Sequence, residues 1–92
     1  MAHTQKDKEK LLQRIRRIRG QLNAAETELT EDQECSMVLH SLAACRGAIN
    51  SLMAEVLEGH IRFHVVDPQQ KPTKQQIAAA EEVINIVKSY LK

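Results

Sequence analysis

The chain has 92 residues, enough for one domain and expected to form a single one over 1–92. It is 42% hydrophobic but holds one Phe, one Tyr and no Trp, so a core has to be aliphatic, and base stacking on aromatic platforms is a poor mode of binding for it. The net charge of +1 conceals a segregation: residues 1–20 carry seven Lys or Arg against Asp7 and Glu9, while residues 21–40 carry five acids and no Lys or Arg. A basic segment of this kind is a footprint for polyanions, or else a solvated helix face. No apolar stretch is long enough to span a bilayer or to serve as a signal segment, so the expected compartment is the cytoplasm, with reduced thiols and no membrane partner. Three Gly and two Pro leave little turn chemistry, and the composition favours helices.

Three helices are expected. The first begins near Thr4, with Leu11, Ile15, Ile18, Leu22, Ala25 and Leu29 in alternating steps of four and three. Gly20 inside it suggests close backbone approach. "TEDQ" at 30–33 reads as a capping box that opens the second helix near Glu31. Its apolar seam is Cys35, Val38, Leu42, Cys45, Ile49, Leu52 and Val56, and no proline stops it before Pro68. A run to about Phe63 makes a helix of roughly 33 residues, about 50 Å long, which demands partners along its length. "VVDPQQKP" at 65–72 is the linker. "TKQQ" at 73–76 caps the third helix, whose inward face holds Ile77, Ala80, Ile84, Val87 and Leu91.

"GHIRFH" at 59–64 places His60 and His64 one helical turn apart, a spacing that suits two imidazoles on one ion and equally suits solvated or core histidines. Cys35 lies 25 residues before His60, roughly 37 Å along one straight helix, so one chain cannot bring the two to one ion. Two long helices packed antiparallel can, with a symmetric site at each end. The alternative for Cys35 is a small buried hydrophobe. His3 is the fourth candidate, beside the amine of Ala2 if Met1 is removed, or simply part of a loose terminus. One thiolate and three imidazoles suit Ni(II), Co(II) and Zn(II) better than Cu(I). Cys45, about 15 Å along the helix from Cys35, reads as core, and His40 as a surface or packing residue.

The sequences "RIRRIRGQL" at 14–22, "EC" at 34–35, "AACRGAINSLMAEVLEGHI" at 43–61 and the terminal "YLK" resemble the CsoR/RcnR/FrmR family of bacterial repressors over essentially the whole chain. The resemblance implies an all-α fold of three helices with a very long second helix. It further implies an antiparallel dimer forming a four-helix bundle, and a homotetramer built as a dimer of dimers without a helix-turn-helix. Its copper branch resembles a cysteine where this chain has His64. Its nickel/cobalt branch resembles the set His3, Cys35, His60 and His64, with Cys35 from one subunit and both His60 and His64 from its partner. Its formaldehyde branch resembles Pro at position 2 with Cys35, and here position 2 is Ala2. Some nickel/cobalt relatives carry a carboxylate where this chain has Phe63, and an aliphatic residue is usual where it has Cys45.

The resemblance implies a double-stranded operator as partner, with Arg14, Arg17 and Arg46 on the DNA-facing side and Lys10, Arg16 and Arg19 beside them. Arg16 and Arg19 could instead be solvated or paired with acids. The expected function is a transcriptional repressor, not an enzyme, that releases its operator on binding Ni(II) or Co(II), with Zn(II) possible. Two alternatives are a formaldehyde-responsive repressor that links the Ala2 amine to the Cys35 thiol, and a helical metal buffer with no DNA role.

Overall fold

The computed structural model describes residues 7–91. Among them the structure is helical throughout, with no strand. Helix α1 spans Lys8–Thr30, α2 spans Cys35–His60, and α3 spans Lys74–Tyr90. A π-helical turn, Ile61–Val65, extends α2, and a 3-10 turn, Pro68–Gln70, begins the linker. The expected start of the first helix, Thr4, lies outside the described residues.

The stretch "TEDQ" ends α1 instead of opening α2. Thr30 belongs to α1, and its hydroxyl donates to the Glu26 carbonyl at 2.8 Å. The Gln33 N–H donates to the Glu28 carbonyl at 2.9 Å and the Asp32 N–H to Leu29 at 3.2 Å, with Asp32 at φ 55°. That pair of bonds around a left-handed residue is a Schellman stop. α2 therefore begins four residues later than expected, at Cys35, without a side-chain cap. At its far end the helical path outlasts Phe63, because the Val66 N–H reaches back five residues to Ile61 at 2.9 Å. The α-helical part alone is about 39 Å long.

The linker follows its sequence closely. Asp67 accepts from the Gln69 N–H at 2.9 Å, and Pro68 stands at the first position of the 3-10 turn. The capping box at Thr73 is present in full: the Gln76 N–H donates to Thr73 Oγ1 at 3.1 Å, and the Thr73 N–H donates to Gln76 Oε1 at 2.8 Å.

α1 and α2 form an antiparallel pair. Ser41 donates to the Glu28 carboxylate at 2.9 Å, Cys45 lies 3.9 Å from the Ile18 carbonyl, and Arg14 donates to Ser51 at 2.9 Å. α3 folds back on the end of α2, where Ile84, Ile61 and Ala54 are buried. Gly20 makes no close approach: a Cβ there would meet nothing within 4 Å.

The molecule measures 57 × 25 × 12 Å, and 12 Å is about the thickness of a single helix. A single layer cannot enclose a core. The buried apolar residues are Ala25, Cys45, Ala54, Ile61 and Ile84, whereas Leu22, Leu29, Leu39, Met53 and Val65 are each more than half exposed.

Candidate metal centre and nucleic-acid face

Cys35 is the first residue of α2 and His60 the last. Their separation is about 6.9 turns at 3.6 residues per turn, so they project from one face of α2 to within about 20°. Between them on that face lie Leu39, Leu42, Ile49, Met53 and Leu57, all exposed, with the exposed Arg46 set among them about 20° from the line of Cys35. The sequence places the two candidate ligands at opposite ends of a helix; the structure shows that an exposed, largely apolar stripe interrupted by Arg46 joins them.

His60 and His64 form a local pair. Their ring centroids are 5.5 Å apart and their planes are inclined by 32°. His60 ends the α-helical part and His64 sits in the π turn, so the wider turn sets their relation. Among the described residues of one chain, no three His, Cys, Asp or Glu side chains come together around one point. Cys35 is exposed, as is His40. His3 and Ala2 lie outside the described residues.

Phe63 and His64 line different hollows against α3. His64 borders one of about 640 Å³ with Ile61, Asp67, Gln76 and Val83. Phe63 borders a smaller one, about 270 Å³, with Arg62, Ile77, Ala80 and Glu81. The π turn thus carries the aromatic ring toward α3.

A set of charges that sequence reading missed clamps α3 to this end of α2. The Arg62 guanidinium makes a two-pronged pair with Glu81, its second contact at 3.1 Å. Lys88 Nζ lies 2.6 Å from Glu58, which Arg62 also approaches at 4.0 Å. The hydrogen bonds from Arg62, and its charge, hold the Glu81 carboxyl below the usual carboxylate range. The spacing of Glu58 and Arg62 was a legible signal; their partners on α3 were not, because no local rule couples residues across a linker.

Along α1, Lys10, Arg16, Arg17 and Arg19 are exposed. Arg14 is not on a solvent flank with them. It crosses to α2, where its guanidinium pairs with Glu55 and donates to Ser51. Arg46 is exposed, and as the neighbour of Cys45, which α1 covers, it points about 100° away from α1. Cys45 is core, as its place in the seam predicts.

Among the described residues the chain is helical without strands, with a thiol and an imidazole pair at the two ends of one helix and a basic helix packed beside it. Residues 7–89 match the family described as metal-sensitive transcriptional repressor. The chain is also 39% identical to the transcriptional repressor RcnR of Citrobacter koseri, and 47% identical to an uncharacterized protein in the bioA 5′ region of Serratia marcescens; each match covers all 92 residues of this chain and the whole of the relative. The chain belongs to the metal-sensitive transcriptional repressors. Membership of this family of metal-sensitive repressors supports a metal response, makes DNA its partner, and means that it is not an enzyme. None of its described helices is long and apolar enough to cross a membrane.

Proposed function

We propose that this chain is a cytoplasmic repressor that leaves its operator on binding Ni(II) or Co(II), with Zn(II) as a further candidate, through Cys35 of one subunit and the partner's His60 and His64. The observation that carries this is the single face of α2 on which Cys35 and His60 stand at opposite ends of an exposed, largely apolar stripe. Two such helices laid antiparallel cover both stripes and bring each Cys35 to the other chain's histidines. The donor set fits the metals: a thiolate and imidazoles together favour late first-row ions over the oxygen-seeking Mg(II) and Ca(II). His3 would complete the set from the N-terminal side.

When bound, the ion supplies a cross-link between two chains. The work at this end is done by the protein's own groups. The π turn aims His64, and the pairs Arg62–Glu81 and Glu58–Lys88 hold that turn on α3. The start of α2 lies beside the end of α1, the helix that carries Lys10, Arg14, Arg16, Arg17 and Arg19, with Arg46 on α2, toward phosphate. Pairing two dimers as a tetramer multiplies these cations, so DNA affinity falls steeply with salt. For release, the metal must favour the DNA-free conformation, and a coupling of about 1–3 kcal/mol is ordinary for such systems.

Cobalt titration with parallel absorption and gel-shift readings tests this. Expected are a thiolate-to-cobalt band that Cys35→Ala abolishes, and DNA release at the same stoichiometry. Unchanged DNA affinity at saturating cobalt and nickel would refute the response. A Cys35-dependent mass gain of one methylene after formaldehyde treatment, with no metal response, would transfer the sensor to the aldehyde class.

A further inference from the structure

Arg14 stands apart from the other cations of α1. Its guanidinium lies between two groups one turn apart on α2: it pairs with the Glu55 carboxylate and donates to Ser51 at 2.9 Å. The pair is open to water, with the Arg14 side chain 31% exposed and Glu55 47% exposed. A carboxylate that accepts from a guanidinium offers it the geometry that a phosphate would. An exposed pair of this kind is also weak enough to exchange partners.

We infer that Glu55, assisted by Ser51, is a built-in competitor of DNA for Arg14: it occupies the guanidinium when the protein is free and yields it to a phosphate when DNA binds. This rests on the proposal that Arg14 meets DNA. The contact has two consequences. It lowers DNA affinity in the free state, and it links the position of α1 on α2 to whether Arg14 is available. A shift of α1 that tightens the Arg14–Glu55 pair therefore weakens DNA binding by withholding Arg14, in addition to any effect of moving the other cations of α1.

The test is a double-mutant cycle on the full-length protein without metal. The probe is a labelled duplex of random sequence, because a phosphate contact needs no particular sequence. The four proteins are the parent, Glu55→Gln, Arg14→Gln and the double variant, with circular dichroism and sedimentation confirming matched helicity and size. Glu55→Gln is expected to tighten binding about two- to fivefold, the scale of an exposed ion pair. Arg14→Gln is expected to weaken it and to flatten the dependence of affinity on salt. In the Arg14→Gln background, Glu55→Gln is expected to change nothing.

An equal gain in both backgrounds would mean that Glu55 acts only as a diffuse negative charge, and would overturn the inference. Weaker binding by Glu55→Gln would overturn it too, since Glu55 would then be aiming Arg14 at DNA. An Arg14→Gln variant that binds as the parent does would remove the DNA role of Arg14 and the inference with it. Should Arg14→Gln lose its fold, Ser51→Ala serves instead: it withdraws the second hold on Arg14 and is expected to tighten binding by a smaller factor than Glu55→Gln, while no gain from either variant would overturn the inference.

Discussion

At the scale of single residues, what surrounds a side chain decides its role more than its type does. Gly20 has the composition of a close-approach residue, yet a Cβ there meets nothing. In an exposed helix interior, glycine costs about 0.5–1 kcal/mol relative to alanine. Gly20→Ala should therefore raise stability by about that amount in urea unfolding at fixed protein concentration. A loss instead would show that another copy packs on α1 at Gly20. Ile84 is the opposite case, with 2% of its surface exposed. Ile84→Ala should cost about 2–5 kcal/mol by the same measurement, because it removes apolar atoms and leaves a cavity between α3 and α2.

At the scale of elements, the two turn signals in the sequence have opposite outcomes for a physical reason. "TKQQ" follows two prolines that stop everything before it, so its threonine is free to cap α3. "TEDQ" follows an uninterrupted helical run, so Thr30 is absorbed into α1 and the stop falls at Asp32. Asp32 holds a left-handed conformation that glycine adopts more readily. Asp32→Gly is expected to stabilise the hairpin by about 0.5–1 kcal/mol, measured as a rise in the urea midpoint. Thr73→Ala should cost about 1 kcal/mol through loss of the cap.

The docking of α3 has a pH signature. Arg62 keeps Glu81 below its ordinary value, so the folded protein binds fewer protons there than the unfolded chain. The contribution is full above the unfolded glutamate value and disappears as pH falls through the lowered folded value. Glu81→Gln should therefore flatten the acid limb of a stability–pH curve below about pH 4.5 and leave its neutral limb parallel to the parent's.

At the scale of the molecule, the chain is a layer one helix thick with many of its large apolar residues exposed, and the proposed assembly would cover them. Covering a Leu or Met fully contributes about 1.5–3 kcal/mol, and a two-fold interface covers each residue twice. Met53→Glu, in the middle of the α2 stripe, should shift the assembly to smaller species in sedimentation, with loss of helicity on dilution. Thermal midpoints of the parent should rise with protein concentration. The metal reading depends on the same pairing, so Met53→Glu should also lose the cobalt–thiolate band while keeping Cys35, His60 and His64.

The sequence by itself determined the three helices, the capped start of α3, the core place of Cys45, and the impossibility of joining Cys35 to His60 within one chain. Each follows from local rules: periodicity, caps, proline and the rise of a helix. Only the tertiary structure decided where α1 stops, that α2 continues into a π turn that separates Phe63 from His64, that Glu81 and Lys88 clamp that turn, and that Arg14 crosses to Glu55. The clamp and the crossing arise from contacts between residues far apart in the chain, where charge and packing choose among partners that no spacing rule can rank. The stop of α1 and the π turn are closed by backbone bonds within five residues, which no residue-type pattern marked.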